Sequence, residues 1–418
     1  MLVQFKVGNF LSFKSPVTLS LMPSAIREHS ETHVFNARAD LKLLKSAAVY
    51  GANGSGKSNL FHGMRFMKGM VRNSSKDSQA EEEIAGVDPF QLSTDSKQLP
   101  SLFEVVMIED NLWFRYGFEV DRFRVHREWL YYAPKRQEVC LFYRDNGSIE
   151  MNKAFEEGRN LESKTRDNAL FLSVVAQFNG EISRKVLRWF SAFNIISATR
   201  DVYNAFSTRV WEDDREAFMK LFKAADLGVE DIDIEQQDQF GRPVLREVKV
   251  LHPIYDANNR PAGFERFNLA DQESEGSRKL FSLIGPVIDT LRSGKVLVVD
   301  ELDSRLHPLI THFLISLFNS NRENIHNAQL VFNTHDTNLL TRKIFRRDQI
   351  WFTEKDRYGS SDLYSLVAYN VRNDASYEKD YLLGKYGSVP YLGTFEWSKN
   401  DEEVISGARK QRPRKQEP

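Results

Sequence analysis

Eight residues near the start of the chain have the types and spacing of a phosphate-binding loop. They fit the pattern G-x-x-x-x-G-K-S/T at every fixed position. Glycines let the backbone turn and point its N–H groups at phosphate oxygens, and the N-terminus of the following helix adds positive partial charge. The lysine can reach the β and γ phosphates, and the last hydroxyl can bind Mg²⁺. The eight residues are Gly51, Ala52, Asn53, Gly54, Ser55, Gly56, Lys57 and Ser58.

A pair of carboxylates follows a strongly apolar run much later in the chain. Residues 296–299 are four consecutive aliphatic residues, and Asp300 and Glu301 come directly after them. Such a run is typical of a strand buried on both faces, and ligands gather at the carboxyl ends of parallel strands. We expect Asp300 to hold Mg²⁺ and Glu301 to orient or deprotonate an attacking water. The alternative, a strand that ends in a solvated acidic turn, is less favoured because a phosphate loop precedes it.

Two further motifs complete an ordered set. Ser274 and Gly276 lie before the apolar run, and His335 follows a second apolar run at residues 330–332. The order of phosphate loop, Ser-x-Gly, carboxylate pair and histidine resembles the ABC-type ATPases, specifically their soluble branch of chromosome-maintenance, RecF and Rad50-like proteins. A helix-capping serine with a turn glycine, and a buried histidine, are the local alternatives for these residues.

The resemblance implies roles for the residues in these motifs. In that family the Ser-x-Gly signature contacts the γ-phosphate of ATP bound to the opposite subunit, which assigns Ser274 and Gly276 to this role. The histidine of the family contacts the γ-phosphate within its own subunit, which makes His335 a catalytic candidate beside Glu301. The resemblance also implies ATP and Mg²⁺ as ligands, ATP hydrolysis, and a homodimer that sandwiches two nucleotides. A larger ring built from such dimers is compatible with the sequence.

One glutamine is a further candidate for the metal site. Gln91 follows Asp88-Pro89-Phe90, where a loop glutamine near Mg²⁺ would be sought to accompany Ser58 and Asp300. A surface glutamine is the competing interpretation.

The apolar periodicity predicts the elements that position these motifs. Residues 43–50 indicate a strand and 58–71 a helix, so the phosphate loop lies between them. Runs of β-branched and aromatic residues from about residue 103 predict strands, with a hairpin at Asp145-Asn146-Gly147. We therefore predict an α/β fold, a P-loop NTPase with an ABC-type head split by a large mixed insertion. The predicted divisions are 1–90 for the first half of the head, 91–267 for the insertion, 268–395 for the second half and 396–418 for a disordered basic tail.

Composition narrows the classes of protein. The 57 Lys and Arg residues nearly balance the 58 Asp and Glu residues, so no global positive field attracts nucleic acid. The single cysteine, Cys140, excludes an intramolecular disulfide and a zinc site built on several cysteines. No run of apolar residues is long enough for a membrane span. We expect a cytoplasmic protein without membrane contact.

The closing segments resemble a narrower group. Residues 347–355, 363–366 and 381–390 are similar to the RloA, AbiL and OLD-like ATPases of prokaryotic anti-phage defence loci. This resemblance implies a switch that senses infection, through a phage-encoded trigger protein, and that holds or releases a separate TOPRIM-like nuclease effector. The alternative function is a RecF- or Rad50-like repair or chromosome-maintenance ATPase that binds DNA directly. The basic residues from Arg409 onward would then contact the DNA.

Overall fold

Two large β-sheets and the helices packed on them form most of the structure, a computed structural model that describes residues 1–76, 82–135, 137–197, 203–225, 228–237, 245–369, 371 and 375–390. The strands are β1 (Leu2–Gly8), β2 (Val17–Ser20), β3 (Val34–Arg38), β4 (Leu41–Leu44), β5 (Ser46–Tyr50), β6 (Ser101–Glu109), β7 (Leu112–Val120), β8 (Val125–Ala133), β9 (Val139–Asp145), β10 (Ser148–Met151), β11 (Phe193–Ser197), β12 (Asp231–Gln237), β13 (Leu245–Tyr255), β14 (Pro261–Asn268), β15 (Val296–Asp300), β16 (Gln329–Asn333), β17 (Ile350–Lys355) and β18 (Ser361–Ser365). The α-helices are α1 (Lys57–Asn73), α2 (Phe171–Gln177), α3 (Glu181–Ala192), α4 (Asn204–Asp213), α5 (Arg215–Lys223), α6 (Glu275–Ser293), α7 (Pro308–Asn319) and α8 (Tyr377–Leu382).

A six-stranded sheet brings the motif-bearing strands side by side. Its order is β11-β15-β16-β5-β17-β18, with the first five strands parallel and β18 antiparallel to β17. Every residue of β5, β15 and β16 is buried, as expected for strands covered on both faces. Val298 and Val331 join the core that contains α1, whereas Leu297 and Phe332 join the core that contains α6 and α7. The carboxyl ends of β5, β15 and β16 therefore meet at one edge.

A seven-stranded antiparallel sheet packs against the opposite side of α1. Its order is β10-β9-β8-β7-β6-β1-β2. Phe5 and Val7 of β1 share one hydrophobic core with Leu60 and Phe61 of α1. A Cβ atom added at Gly63 would lie 3.3 Å from Val7, so the helix approaches the strand closely. The position of α1 between two sheets fixes the direction in which the phosphate loop opens.

Strands from the segment 91–267 pair with strands of the segments before and after it. Its strand β6 pairs with β1 from the predicted first half, and its strand β11 pairs with β15 from the predicted second half. Residues 101–151 and 193–197 therefore belong to the two sheets of the head. The sequence pattern predicts strands correctly here, but it carries no signal for which strands pair, because period-two alternation describes one strand and its faces.

Two local predictions are confirmed by backbone geometry. Ser148 pairs with Asp145 across the predicted hairpin, and Asn146 and Gly147 have φ of 45° and 91°, as a tight hairpin turn requires. The predicted strand before the phosphate loop corresponds to β4 and β5, and the predicted helix after it corresponds to α1. The phosphate loop therefore has its predicted strand–loop–helix context.

A smaller sheet of β12, β13 and β14 lies beside α6. Strand β12 pairs with β13 only from Leu245 to Leu251, whereas β13 and β14 pair from Lys249 to Tyr255. Residues 252–265 therefore form a two-stranded ribbon beyond β12. Ile254, Tyr255 and Phe264 are exposed on this ribbon.

The helices and the end of the chain bear on two other expectations. Among the described residues, no helix is both long and apolar enough to cross a membrane. The predicted basic tail at 396–418 lies outside the described residues.

Candidate nucleotide-binding site

The phosphate loop runs from the end of β5 to the first turn of α1. Asn53 and Gly54 are exposed at its tip, whereas Ser55 and Lys57 are buried. The Lys57 Nζ atom donates to the carbonyl oxygens of Gly51, at 2.7 Å, and Ala52, at 3.1 Å. A cavity of about 290 Å³ lies between the loop on one side and Glu354, Lys355 and residues 388–390 on the other. The lysine ammonium therefore lies inside the turn of the loop, where a phosphate would meet it.

Close contacts from β17 and β18 explain why the loop contains glycine. Gly56 has a φ of 114°, and a Cβ atom there would lie 2.5 Å from the Ser361 Oγ atom. A Cβ atom at Gly51 would lie 2.5 Å from the Thr353 Oγ1 atom. Ser361 Oγ donates to the Ser55 carbonyl at 2.6 Å, and the Ser55 and Thr353 hydroxyl oxygens are 2.6 Å apart. These hydroxyls therefore anchor the loop to β17 and β18.

Ser58 and Asp300 form the predicted metal-binding pair. The Ser58 hydroxyl donates to Asp300 Oδ1 at 2.9 Å, although the two residues lie far apart in sequence. Asp300 is buried, and its Oδ1 atom also accepts from Asn333 Nδ2 at 2.6 Å. Hydroxyl and carboxylate oxygens are ligands of the kind that Mg²⁺ prefers. This donor set fits the metal that the sequence predicts.

Glu301 lies directly beyond the strand end in an uncommon backbone conformation. Its φ is 60°, a region that a residue with a side chain seldom adopts and that is often found at functional sites. Its backbone N–H donates to the side-chain oxygen of Asn333, which holds the peptide in place. The half-buried Glu301 carboxylate is close enough to Lys57 to favour the charged form of the lysine.

Burial and the neighbouring carboxylates have opposite effects on the pKa of Lys57. Burial lowers the pKa of Lys57 to about 8, and the charges of Glu301, Asp303 and Asp300 oppose this shift. Burial dominates because removal from water disfavours the ammonium ion. A bound phosphate would therefore replace the water that burial removes from the Lys57 ammonium group.

His335 lies close to the same charges. Its backbone N–H donates to Asp303 Oδ2 at 3.1 Å, so the histidine segment is tied to the loop that follows Glu301. Loss of water around the ring, followed by repulsion from Lys57, lowers the pKa of His335, although part of the residue stays exposed. At neutral pH the imidazole is therefore mostly neutral, with one nitrogen free to donate and one to accept.

The signature residues lie at the start of α6 and do not join the phosphate loop of their own chain. Ser274 is exposed and caps α6, because its Oγ atom accepts from the Ser277 N–H at 3.0 Å. A Cβ atom at Gly276 would lie 3.3 Å from the Arg305 carbonyl, so the first turn packs closely on the loop after Glu301. The hydrogen bonds described for Ser274 remain within this first turn.

Gln91 stays apart from the metal-binding pair. It is exposed, and its amide donates to the Pro89 carbonyl at 2.9 Å. None of the hydrogen bonds in the described part of the chain joins Gln91 to Ser58 or Asp300. The surface interpretation fits this placement better than the metal-ligand prediction.

Four residues of the site received no role from the sequence. Asn333 has a visible signal, because it ends an apolar run just as Asp300 does. Asp303 follows the carboxylate pair closely, which is a weaker signal. Thr353 and Ser361 have none, since a small hydroxyl residue in a strand is common and only the fold brings them beneath the phosphate loop.

Comparison with solved structures gives similarity to SMC head domains. The chain is 15% identical to the SMC head domain from Thermotoga maritima, with a TM-score of 0.41 over 87% of this chain and 98% of that one. It is 14% identical to an Smc head domain with an extended coiled coil from Pyrococcus furiosus, bound to the C-terminal domain of ScpA. The TM-score for that pair is 0.41 over 92% of this chain and 98% of that one. No curated protein matches the sequence.

A family model matches most of the chain. Residues 46–341 match the family described as "AAA domain, putative AbiEii toxin, Type IV TA system". The matched region contains the phosphate loop, the signature, the carboxylate pair and His335. The predicted α/β P-loop ATPase fold is confirmed by this match and by the parallel sheet that carries the phosphate loop. The chain therefore belongs to this AAA-domain family.

Proposed function

We propose that the protein is an ATP-hydrolysing switch that works as a homodimer in prokaryotic anti-phage defence. One observation carries the enzymatic part: the Ser58–Asp300 contact, at 2.9 Å, brings the phosphate loop and the carboxylate pair into a single site. Lys57 lies in the same site, because the charges of Glu301 and Asp300 act on the pKa of its ammonium group. Phosphate binding and water activation thus have their groups in one place.

The residues divide the work of hydrolysis between them. Backbone N–H groups of the loop and Lys57 bind the β and γ phosphates of ATP. Ser58 and Asp300 would hold Mg²⁺, which would supply positive charge beside the phosphates. Glu301 orients a water and accepts its proton while the water oxygen bonds to the γ-phosphorus. The bond from that phosphorus to the bridging oxygen breaks, and ADP and phosphate leave. His335 donates a hydrogen bond to the γ-phosphate.

The signature supports a dimer. Ser274 is exposed at the N-terminus of α6, and its described hydrogen bonds go to its own turn. An exposed serine, adjacent N–H groups and a helix N-terminus together suit the phosphate of a nucleotide held by a second copy. Two ATP molecules between two copies would hold the subunits together, and hydrolysis would release them. A higher ring could be assembled from such dimers.

The defence role is the finer part of the proposal. It is supported by the family description, which names a toxin of a toxin–antitoxin system. It is also supported by the resemblance of the closing segments to RloA and OLD-like ATPases, a group that includes AriA of the PARIS system. We expect a phage-encoded trigger to act on the switch and a separate TOPRIM-like nuclease to be the effector.

Two substitutions test the switch. Glu301→Gln removes the proton acceptor but keeps the shape of the side chain, so ATP should still bind and an ATP-dependent dimer should accumulate. Lys57→Ala should abolish nucleotide binding, since the charge in the loop is lost. Nucleotide titration, turnover and analytical ultracentrifugation of both variants measure these outcomes. Unchanged turnover in Glu301→Gln, or unchanged affinity in Lys57→Ala, would remove these residues from the mechanism.

Co-purification tests the defence role. The product of the neighbouring gene should co-purify with this protein if it is the effector, and nuclease activity should appear only after a trigger is supplied. Duplex DNA titration at several salt concentrations provides the contrast, because a direct DNA-binding ATPase would show strong salt-dependent affinity. Tight DNA binding without a protein partner would favour the RecF-like alternative.

A further inference from the structure

We infer that a hydrogen-bonded pair, His252 and Glu273, positions the signature serine for the ATP of the opposite subunit. His252 lies on β13, and Glu273 directly precedes Ser274. The inference rests on the proposed function, because it concerns the trans contact of the ATP-bound dimer. It assigns a positioning role to two residues outside the motifs.

The pair itself is short and well shielded. His252 Nε2 lies 2.5 Å from Glu273 Oε1, and because a carboxylate only accepts, the imidazole N–H donates. The Glu273 side chain is only 6% exposed, and that of His252 is 23% exposed. The His252 ring also packs 5.2 Å from the Phe267 ring. A shielded hydrogen bond to a carboxylate is stronger than one at the surface.

The chain between β14 and the signature is held at each step. Gln272 Oε1 accepts from the Asn268 N–H at 2.7 Å, and the Asn268 carbonyl accepts from the Gln272 N–H at 2.9 Å. The Ala270 carbonyl accepts from Arg278 Nη1 on α6 at 2.5 Å. The Glu273 side chain then makes the last anchor before Ser274. The serine therefore has little freedom to shift while the His252 contact persists.

The first turn of α6 has a second support on its other side. Glu275 Oε2 lies 3.6 Å from Arg305 Nε, and Gly276 packs against the Arg305 carbonyl. Glu275 is well exposed, so this ion pair contributes little by itself. The shielded Glu273 contact is thus the stronger of the two side-chain supports. The N–H groups at the start of α6 can bind a phosphate only if this turn keeps its orientation.

The pair also lies at the point where β13 and β14 extend beyond β12 as a two-stranded ribbon. Strand β12 pairs with β13 only as far as Leu251, so His252 is the first residue of β13 beyond the three-stranded part. Opposite it on β14 is Glu265, which is exposed. A displacement of the ribbon at His252 can therefore reach the signature through Glu273.

Two substitutions of His252 separate positioning from packing. His252→Phe keeps a ring against Phe267 but removes the donor, and His252→Gln keeps a donor but removes the ring. Each is combined with Glu301→Gln, and ATP-dependent dimerisation is measured by analytical ultracentrifugation beside ATP affinity at low protein concentration. Thermal unfolding of every variant checks the fold.

We expect His252→Phe to raise the protein concentration needed for half-dimerisation at least about tenfold, as loss of a hydrogen bond to a charged group predicts. His252→Gln should stay within a few fold of the parent. ATP affinity of the monomer should not change, because the substitutions at His252 do not alter Lys57 or the phosphate loop. Arg266→Ala, which removes two exposed ion pairs of the same small sheet, with Asp233 at 3.4 Å and Glu235 at 3.2 Å, is the matched control and should have no effect.

The outcomes distinguish a failure of the proposed function from a failure of the positioning role alone. If the Glu301→Gln parent fails to dimerise with ATP, the proposed function fails and the positioning role fails with it. If the parent dimerises and Ser274→Ala abolishes this, but His252→Phe does not weaken it, only the positioning role is overturned. A loss in His252→Gln equal to that in His252→Phe would show that the ring and its packing matter, and would also overturn it.

Discussion

Asn333 connects the Asp300 carboxylate to the backbone of Glu301. Its amide nitrogen donates to Asp300 Oδ1 at 2.6 Å, and its amide oxygen accepts from the Glu301 N–H. It is fully buried, so no water can replace these bonds at low cost. Asn333 therefore orients the metal-binding carboxylate and keeps Glu301 in its left-handed conformation.

Asn333→Ala should lower ATP turnover about 10–100-fold and raise the Mg²⁺ concentration needed for half-maximal rate, as loss of a residue behind a metal ligand commonly does. Steady-state turnover across a Mg²⁺ series measures both effects. Asn338→Ala, at an exposed position nearby, serves as the control and should keep the parent rate. Equal rates in the two variants would show that Asp300 and Glu301 keep their positions without Asn333.

The pKa of Lys57 predicts how ATP affinity depends on pH. Burial lowers this pKa to about 8 in the free protein, and bound phosphates would raise it because they favour the ammonium form. Below pH 8 the lysine is already charged, so affinity should be nearly constant. Above pH 8 binding must take up a proton, so affinity should fall by up to about tenfold per pH unit.

Nucleotide titrations between about pH 7 and pH 9.5 test this dependence. Calorimetry in buffers of different ionisation enthalpy should show proton uptake on the alkaline side. Lys57→Arg provides the comparison, because an arginine stays charged throughout the range. Its affinity, whatever its absolute value, should not vary with pH. An alkaline decline that persists in Lys57→Arg would assign the effect to another group.

At the scale of elements, the phosphate loop depends on contacts from β18 that local sequence does not reveal. Gly54 and Gly56 both have positive φ, 74° and 114°, but a Cβ atom at Gly54 meets nothing within 4 Å. A Cβ atom at Gly56 meets Ser361 Oγ at 2.5 Å and Ser12 Oγ at 2.9 Å. The two glycines thus share the backbone requirement and differ in their surroundings.

Gly54→Ala should cost about 1–2 kcal/mol of unfolding free energy from backbone strain alone. Gly56→Ala should cost at least about 1 kcal/mol more, because it also overpacks the loop. Urea denaturation of both variants measures the difference. Adding Ser361→Gly to Gly56→Ala should recover part of the loss. Equal losses at the two positions would show that the loop can move away from β18 freely.

The sequence predicts the elements of the site better than their surroundings. The octapeptide and the run that ends in Asp300 are local patterns, and their chemistry follows from residue types in a strand–loop–helix context. The contacts of Asn333, Ser361 and Thr353 are long-range, so no local pattern encodes them. The exposed Gln91 shows the reverse case: its position along the chain suggests a role, but the fold directs it elsewhere.

At the scale of the whole molecule, α1 is shared between the two large sheets, and the segment 91–267 supplies strands to both. The core that surrounds α1 includes residues of β6, β7, β8 and β9 as well as β1. An alternation pattern could predict those strands but not that β6 continues the sheet begun by β1. The sheet pairing therefore crosses both predicted boundaries of the segment 91–267.

This architecture predicts contrasting outcomes for two deletions. Joining residues 1–90 directly to 268–395 removes β6 and β11, so β1 and β15 would each lose a paired neighbour and expose buried backbone groups. That protein should show no cooperative unfolding transition. Replacing residues 254–263 by Asn-Gly should instead change the unfolding free energy by no more than about 1 kcal/mol, because the removed residues are exposed. Pro253 pairs with Phe264, so a two-residue turn can join the shortened strands. Circular dichroism during thermal and urea unfolding measures both. A cooperative transition in the first deletion would mean that the two halves of the head form their own core, and the sheet pairing of 91–267 would then be dispensable.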